Sequence, residues 1–105
     1  MIADLYIVVY HYKIPLDKTI EYFKLEKKAI EAYIENGCVK VEIYRDAEDP
    51  RSWMEINRFM DREHYVRVAS TLDDDPRISQ LFREFQELLG DAEYEPEKKE
   101  YFHMI

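Results

Sequence analysis

The sequence predicts an α+β sandwich: four strands in one antiparallel sheet, with helices on one of its faces. Three observations carry that prediction. Segments that are β-branched and aromatic, or that alternate with a period of two, stand at Leu5–Ile14, Cys38–Tyr44, Trp53–Phe59 and Lys98–Ile105. Segments with helical spacing separate the first strand from the second and the third from the fourth. Between the second and third strands lies only a short polar stretch, Arg45–Ser52, holding Asp49-Pro50, which reads as a hairpin loop.

The elements follow in order. Leu5–Ile14 (LYIVVYHYKI) is too short for a helix of this composition and closes at Pro15. Asp17 is the expected N-cap of a helix over Lys18–Asn36, with a stripe of Ile20, Phe23, Ile30 and Ile34 flanked by Tyr22, Leu25, Ala29 and Tyr33. Asn36-Gly37 ends it, since glycine accepts the backbone conformation that follows a helix. Val39, Val41 and Ile43 then alternate with Lys40, Glu42 and Tyr44. On the returning strand Trp53, Glu55, Asn57 and Phe59 share one face, and Met54, Ile56 and Arg58 the other. Asp61 caps a second helix with the stripe Tyr65, Val68, Ala69 and Leu72. Asp73-Asp74-Asp75-Pro76 breaks this helix, and Pro76 restarts it at a first helical position. Ile78, Leu81, Phe82, Phe85, Leu88 and Leu89 form its continuing stripe, up to Gly90. In Lys98–Ile105, Tyr101, His103 and Ile105 oppose Phe102 and Met104. The order β-α-β-β-α-β, with its second helix broken, is that of a ferredoxin-like sandwich, expected as a single domain over 1–105.

Composition narrows the function classes. Fifteen Lys+Arg against 23 Asp+Glu leave a net charge of −8. An acidic chain is a poor partner for nucleic acid or anionic membranes. No apolar run approaches a membrane span, and Met1–Tyr12 lacks the features of a leader peptide, so a cytoplasmic protein is expected. Cys38 is the only cysteine, which excludes an internal disulfide.

The sheet's second face should be polar if it meets water. Yet the first strand is apolar or aromatic on both sides, with Leu5, Ile7 and Val9 opposite Tyr6, Val8, Tyr10 and Tyr12. Trp53 and Phe59 beside Glu55 and Asn57, and Tyr101 beside His103, are further candidates for that face. An exposed aromatic patch of this kind calls for a cover. A homodimer stacked through the sheets is therefore expected, with a loop or the C-terminal segment as the alternative cover. Four large apolar side chains buried there contribute about 6–12 kcal/mol before the costs of association.

Gly37-Cys38, Glu42-x-Tyr44-Arg45-Asp46, Asp49-Pro50, Glu55 and Asp61-Arg62-Glu63 resemble the dimeric α/β-barrel superfamily. The nearest branch is that of antibiotic-biosynthesis-monooxygenase-like proteins, with NIPSNAP-like proteins as neighbours. The resemblance is sharpest over Gly37–Glu63. It implies a homodimer with a small pocket between helices and sheet in each subunit. It also implies oxidation of a small aromatic or quinol-like substrate by oxygen without metal or flavin. Haem-degrading relatives carry an Asn on the first strand and a Trp and a His in the second helical region. Here Val9 stands near the first position and no Trp or His lies between Tyr65 and Gly90, so haem degradation is not implied. No catalytic set of the branch transfers residue by residue.

The residues themselves suggest a site. His11, in an apolar strand, is a candidate proton acceptor; the plainer alternative is a partly buried histidine bonded to a carbonyl or carboxylate. Trp53, Glu55 and Asn57 alternate on one strand, and with Tyr44 across the hairpin they offer an aromatic wall with a carboxylate and an amide for a planar phenolic ligand. Burial would raise the pKa of Glu55 and let it take a substrate proton; its alternative is a cross-strand pair with Arg45 or Lys40, with Trp53 filling the dimer seam. The expected catalytic residues are thus His11, Glu55 and Asn57, and the expected substrate contacts Trp53, Tyr44, Phe59, Tyr101 and His103. His11 and His103 with Glu42 or Glu55 lack any metal-ligand spacing signature, so no metal and no cofactor are expected. His64 reads as a helix first-turn residue and Cys38 as a small buried hydrophobe. The competing function class is a non-catalytic dimeric module that binds a small molecule or only assembles.

Overall fold

The computed structural model describes residues 5–90 and 96–105; Met1–Asp4, where the reading for a leader begins, lie outside them. The chain runs β1 (Tyr6–Lys13), a 3-10 turn (Leu16–Lys18), α1 (Thr19–Glu35), β2 (Lys40–Arg45), β3 (Ser52–Phe59), α2 (Arg62–Asp73), α3 (Pro76–Leu89) and β4 (Glu97–Phe102). The sheet order is β2-β3-β1-β4, every neighbouring pair antiparallel. This is the expected ferredoxin-like sandwich, and the second helix breaks where the acidic run and Pro76 require.

Local chemistry sets the boundaries. Asp61 Oδ1 accepts from the His64 N–H at 2.7 Å at the start of α2, and Asp75 Oδ1 accepts from the Arg77 N–H at 2.9 Å ahead of Pro76. At the end of α1 the Gly37 N–H reaches the Ile34 carbonyl and the Cys38 N–H the Tyr33 carbonyl, each at 3.0 Å. This paired closure places Gly37 at φ +111°. In the hairpin loop Asp46 Oδ1 accepts from the N–H groups of Glu48 and Asp49. The expected Asp17 cap does not form. A 3-10 turn occupies Leu16–Lys18, α1 starts at Thr19, and the Thr19 hydroxyl bonds back to the Leu16 carbonyl at 2.8 Å.

Which faces meet differs from two expectations. The helices cover Tyr6, Val8, Tyr10 and Tyr12 of β1 together with Trp53, Glu55, Asn57 and Phe59 of β3, so Trp53 (5% exposed) and Phe59 (2%) are core residues and not part of the second face. The face of α1 toward the sheet is Tyr22, Leu25, Glu26, Ala29 and Ala32; Ile20, Phe23 and Ile34 of the expected stripe are exposed. The buried face is thus the row that flanks the expected stripe, with Tyr22 fully buried and Ala29 and Ala32 letting the helix close on the sheet. The core has two halves: Tyr6, Val8, Cys38, Phe59 and Val68 beneath α2, and Tyr12, Ile14, Tyr22 and Trp53 beneath α1 and α3. Among the described residues no helix is long and apolar enough to cross a membrane.

Candidate functional site

Between the two halves of the core lies a cavity of ≈ 170 Å³, roofed by Ile78, Leu81, Phe82 and Phe85 of α3 and walled by Tyr10, Tyr12 and Tyr33. Two acids form its polar floor, Glu26 from α1 and Glu55 from β3. Both are buried, at 8% and 5% exposure. They face each other directly, and each perturbs the other's ionisation. Tyr12 donates to Glu55 Oε1 at 3.3 Å, and the Tyr12 and Tyr22 hydroxyls meet at 2.5 Å. The Asn57 amide also bonds to the Glu55 carboxyl.

Electrostatics divides the pair. Burial, and then the charge of Glu55, push the Glu26 carboxyl up to about 9. Burial also raises Glu55, but hydrogen bonds from Glu26, Asn57 and Tyr12 oppose that rise. Donors therefore converge on Glu55, whereas Glu26 Oε2 has no partner. Glu26 is thus the carboxyl that keeps its proton longer and Glu55 the one on which donors converge, an arrangement suited to exchanging a proton with a bound molecule. Burial raises the tyrosine hydroxyls of Tyr10, Tyr12 and Tyr33 as well, so they stay neutral and donate.

The expected site residues fall into three groups. Glu55 is at the cavity floor, with Asn57 buried behind it and Trp53 beneath α1, its ring 5.0 Å from Tyr22 and 5.5 Å from Phe23. Phe59 is in the other half of the core against His64 and Tyr65. His11, Tyr44, Tyr101 and His103 are exposed and fall on the opposite side of the sheet or past its edge. Tyr44 bonds there to Glu42, which also pairs with Arg58, and the His103 ring meets the Ile105 carbonyl at 2.6 Å. The structure thus separates His11 from Glu55, and Tyr44 from Trp53, because neighbouring residues of a strand point to opposite faces. Glu55 pairs with neither Arg45 nor Lys40; Arg45 lies over the Trp53 ring at 5.9 Å. His64 accepts from the Met60 N–H at its Nδ1, 3.0 Å away. Among the described residues no three His, Cys, Asp or Glu side chains gather as a metal site.

Sequence reasoning passed over Glu26. Its signal was an acid one turn after Tyr22 and one residue after Leu25, inside the set that turned out to be buried.

No family model matches the chain, and no curated relative does. Solved structures do match. A conserved protein from Methanosarcina mazei Go1 is 21% identical, with a TM-score of 0.76 over 96% of this chain and 95% of that one. SnoaB, a cofactor-independent oxygenase from Streptomyces nogalater, is 14% identical, with a TM-score of 0.75 over 96% and 94%. An antibiotic biosynthesis monooxygenase is 12% identical, with a TM-score of 0.72 over 95% and 99%. With its strand order, broken second helix and cavity between helices and sheet, the chain has the ferredoxin-like fold of the antibiotic-biosynthesis-monooxygenase-like proteins.

Proposed function

We propose that the chain is an acid–base cavity enzyme of the cofactor-independent oxygenase type, acting on a small aromatic molecule with an acidic O–H or N–H. One observation carries the reading: two buried carboxyls, Glu26 pushed up to about 9 and Glu55 surrounded by donors, form the floor of an aromatic-walled cavity. Glu55 takes the substrate's proton. The resulting anion is electron-rich, the state in which an arene reacts with dioxygen without a metal or flavin. For a phenol the balance is simple: the ring gains one oxygen and loses two hydrogens to become a quinone, and the second oxygen leaves as water. Glu26 supplies a proton to that departing oxygen. Asn57 and Tyr12 orient Glu55, and Tyr33, Phe82 and Phe85 hold the ring.

The working unit in this reading is a homodimer joined through the uncovered sheet face. That face still carries Leu5, Ile7, Met54, Ile56 and Tyr101 around a buried Val9, an apolar set different from the Trp53 and Phe59 seam the sequence suggests.

Oxygen uptake with a panel of phenols, quinols and aromatic amines tests the activity. At least one compound should raise consumption, and Glu55→Gln should lower the rate about a hundredfold or more, as loss of a general base does. If no compound exceeds a heat-treated control, the oxygenase reading is wrong.

A further inference from the structure

The acidic floor of the cavity has no cation of its own. Its described lining is tyrosine, phenylalanine, aliphatic side chains and Pro96 around the two glutamates, with no Lys, Arg or His. Buried carboxyls elsewhere in proteins are paired with cations or give up their charge. Here Glu55 receives neutral donors from Glu26, Asn57 and Tyr12, while Oε2 of Glu26, on a residue 8% exposed, has no partner. A bare acceptor at the bottom of a cavity is completed by a donor on whatever fills it.

Three chemistries compete for that place. A carboxylate or phosphate head is repelled by the glutamates and offers acceptors where donors are needed. A hydroxyl head supplies one donor for two carboxyls. A primary ammonium supplies three and brings the missing positive charge. Aromatic walls favour the same choice, because ring faces attract cations.

We propose that the cavity binds a primary amine with a compact aromatic body, its ammonium group donating to Glu26 Oε2 beside the Glu55 carboxyl. This rests on reading the cavity as a ligand site, and it narrows the head group from any acidic donor to a cationic one. The size agrees: a dry protein cavity of about 150 Å³ accepts benzene, and this one measures ≈ 170 Å³. Glu55 would then take one ammonium proton, leaving a neutral amine with a free lone pair against the protonated acid. No other reactant is needed for that step.

Calorimetric titration of the whole chain with phenethylamine, phenethyl alcohol and hydrocinnamate, which share one ring and differ in their heads, decides the matter. The amine should bind about tenfold or more tighter than the alcohol, a difference of ~1.4 kcal/mol, and hydrocinnamate should bind weakest. Acetylation of the amine nitrogen, which keeps the ring and removes the charge, should reduce binding to the level of the alcohol, and Glu55→Gln should shrink the preference for the amine. If alcohol and amine bind alike, or the acid binds best, the amine proposal is overturned while the cavity stands as a ligand site. If the acetylated amine keeps full affinity, or the preference survives Glu55→Gln, the glutamate charge is not its source and the proposal again fails. If none of the ligands binds, the cavity reading falls with it. The acetylated ligand needs only wild-type protein, so a Glu55→Gln chain that does not fold leaves the test intact.

Discussion

A carboxyl that ionises near 4.5 in the unfolded chain and near 9 in the folded one makes pH a direct probe of the cavity. Between those limits the folded chain holds a Glu26 proton that the unfolded chain has released. Stability must therefore fall as pH rises, by up to about 1.4 kcal/mol per pH unit for one proton. Below pH 4.5 both states hold that proton, and the dependence on Glu26 vanishes. Urea unfolding at pH 6 and pH 8 should show wild type losing stability over that step and Glu26→Gln losing markedly less. Parallel losses would mean that Glu26 ionises normally. This residue was hard to find from sequence for a plain reason. An acid within a helix is solvated far more often than buried, and Ile20, Phe23, Ile30 and Ile34 offered a greasier stripe one step around the helix. Glu55 was legible because its alternation with Trp53 and Asn57 ties it to aromatic company.

Where elements begin and end depends on side chains that act within a few residues of themselves, and those positions were readable except at Asp17, where a 3-10 turn precedes α1. Asp61, Asp75-Pro76 and Gly37 behave as their chemistry dictates. Gly37 shows how tightly such a boundary is drawn. Its φ of +111° is unfavourable for any residue with a Cβ, and a Cβ built there would stand 3.1 Å from Val68 Cγ2 in the middle of the α2 packing. Gly37→Ala should cost about 1–3 kcal/mol in chemical denaturation, the range for a non-glycine residue held in such a conformation. A loss of a few tenths would show that the α1–β2 junction relaxes freely. The facing of the strands was not readable in the same way. Period-two alternation says which residues share a face, and it did so correctly for β1 and β3. It cannot say which face the helices cover when β1 is apolar on both, and a displacement by one residue exchanges the two sets. That is why Trp53 and Phe59 were credited to the open face, and why His11 and Tyr44 were joined to a site on the other side of the sheet.

At the scale of the whole molecule the sheet is a wall with helices on one side. Its other side offers the half-buried Ile7, Met54 and Ile56 on the two central strands around a buried Val9, with Leu5 and Tyr101 about two-fifths exposed. Ile56 stands opposite Val9 in the β1–β3 register and opposite Glu42 on β2, close to the middle of that surface. A negative charge introduced there would be stranded in a dimer seam, whereas in a single chain it stays half-exposed to water beside Glu42. Ile56→Glu should therefore change the light-scattering mass from twice 12.8 kDa to 12.8 kDa while keeping a cooperative thermal transition. Trp53→Glu should behave differently, because its carboxylate would be forced among Tyr12, Ile14 and Tyr22 beneath α1. That variant should lose near-ultraviolet circular dichroism and its cooperative melt before any change of assembly is read. The contrast separates the two sheet faces. If Trp53→Glu yields a folded monomer, the indole belongs to a seam after all. If wild type already scatters as 12.8 kDa at micromolar concentration, the open face serves something other than a second copy of this chain.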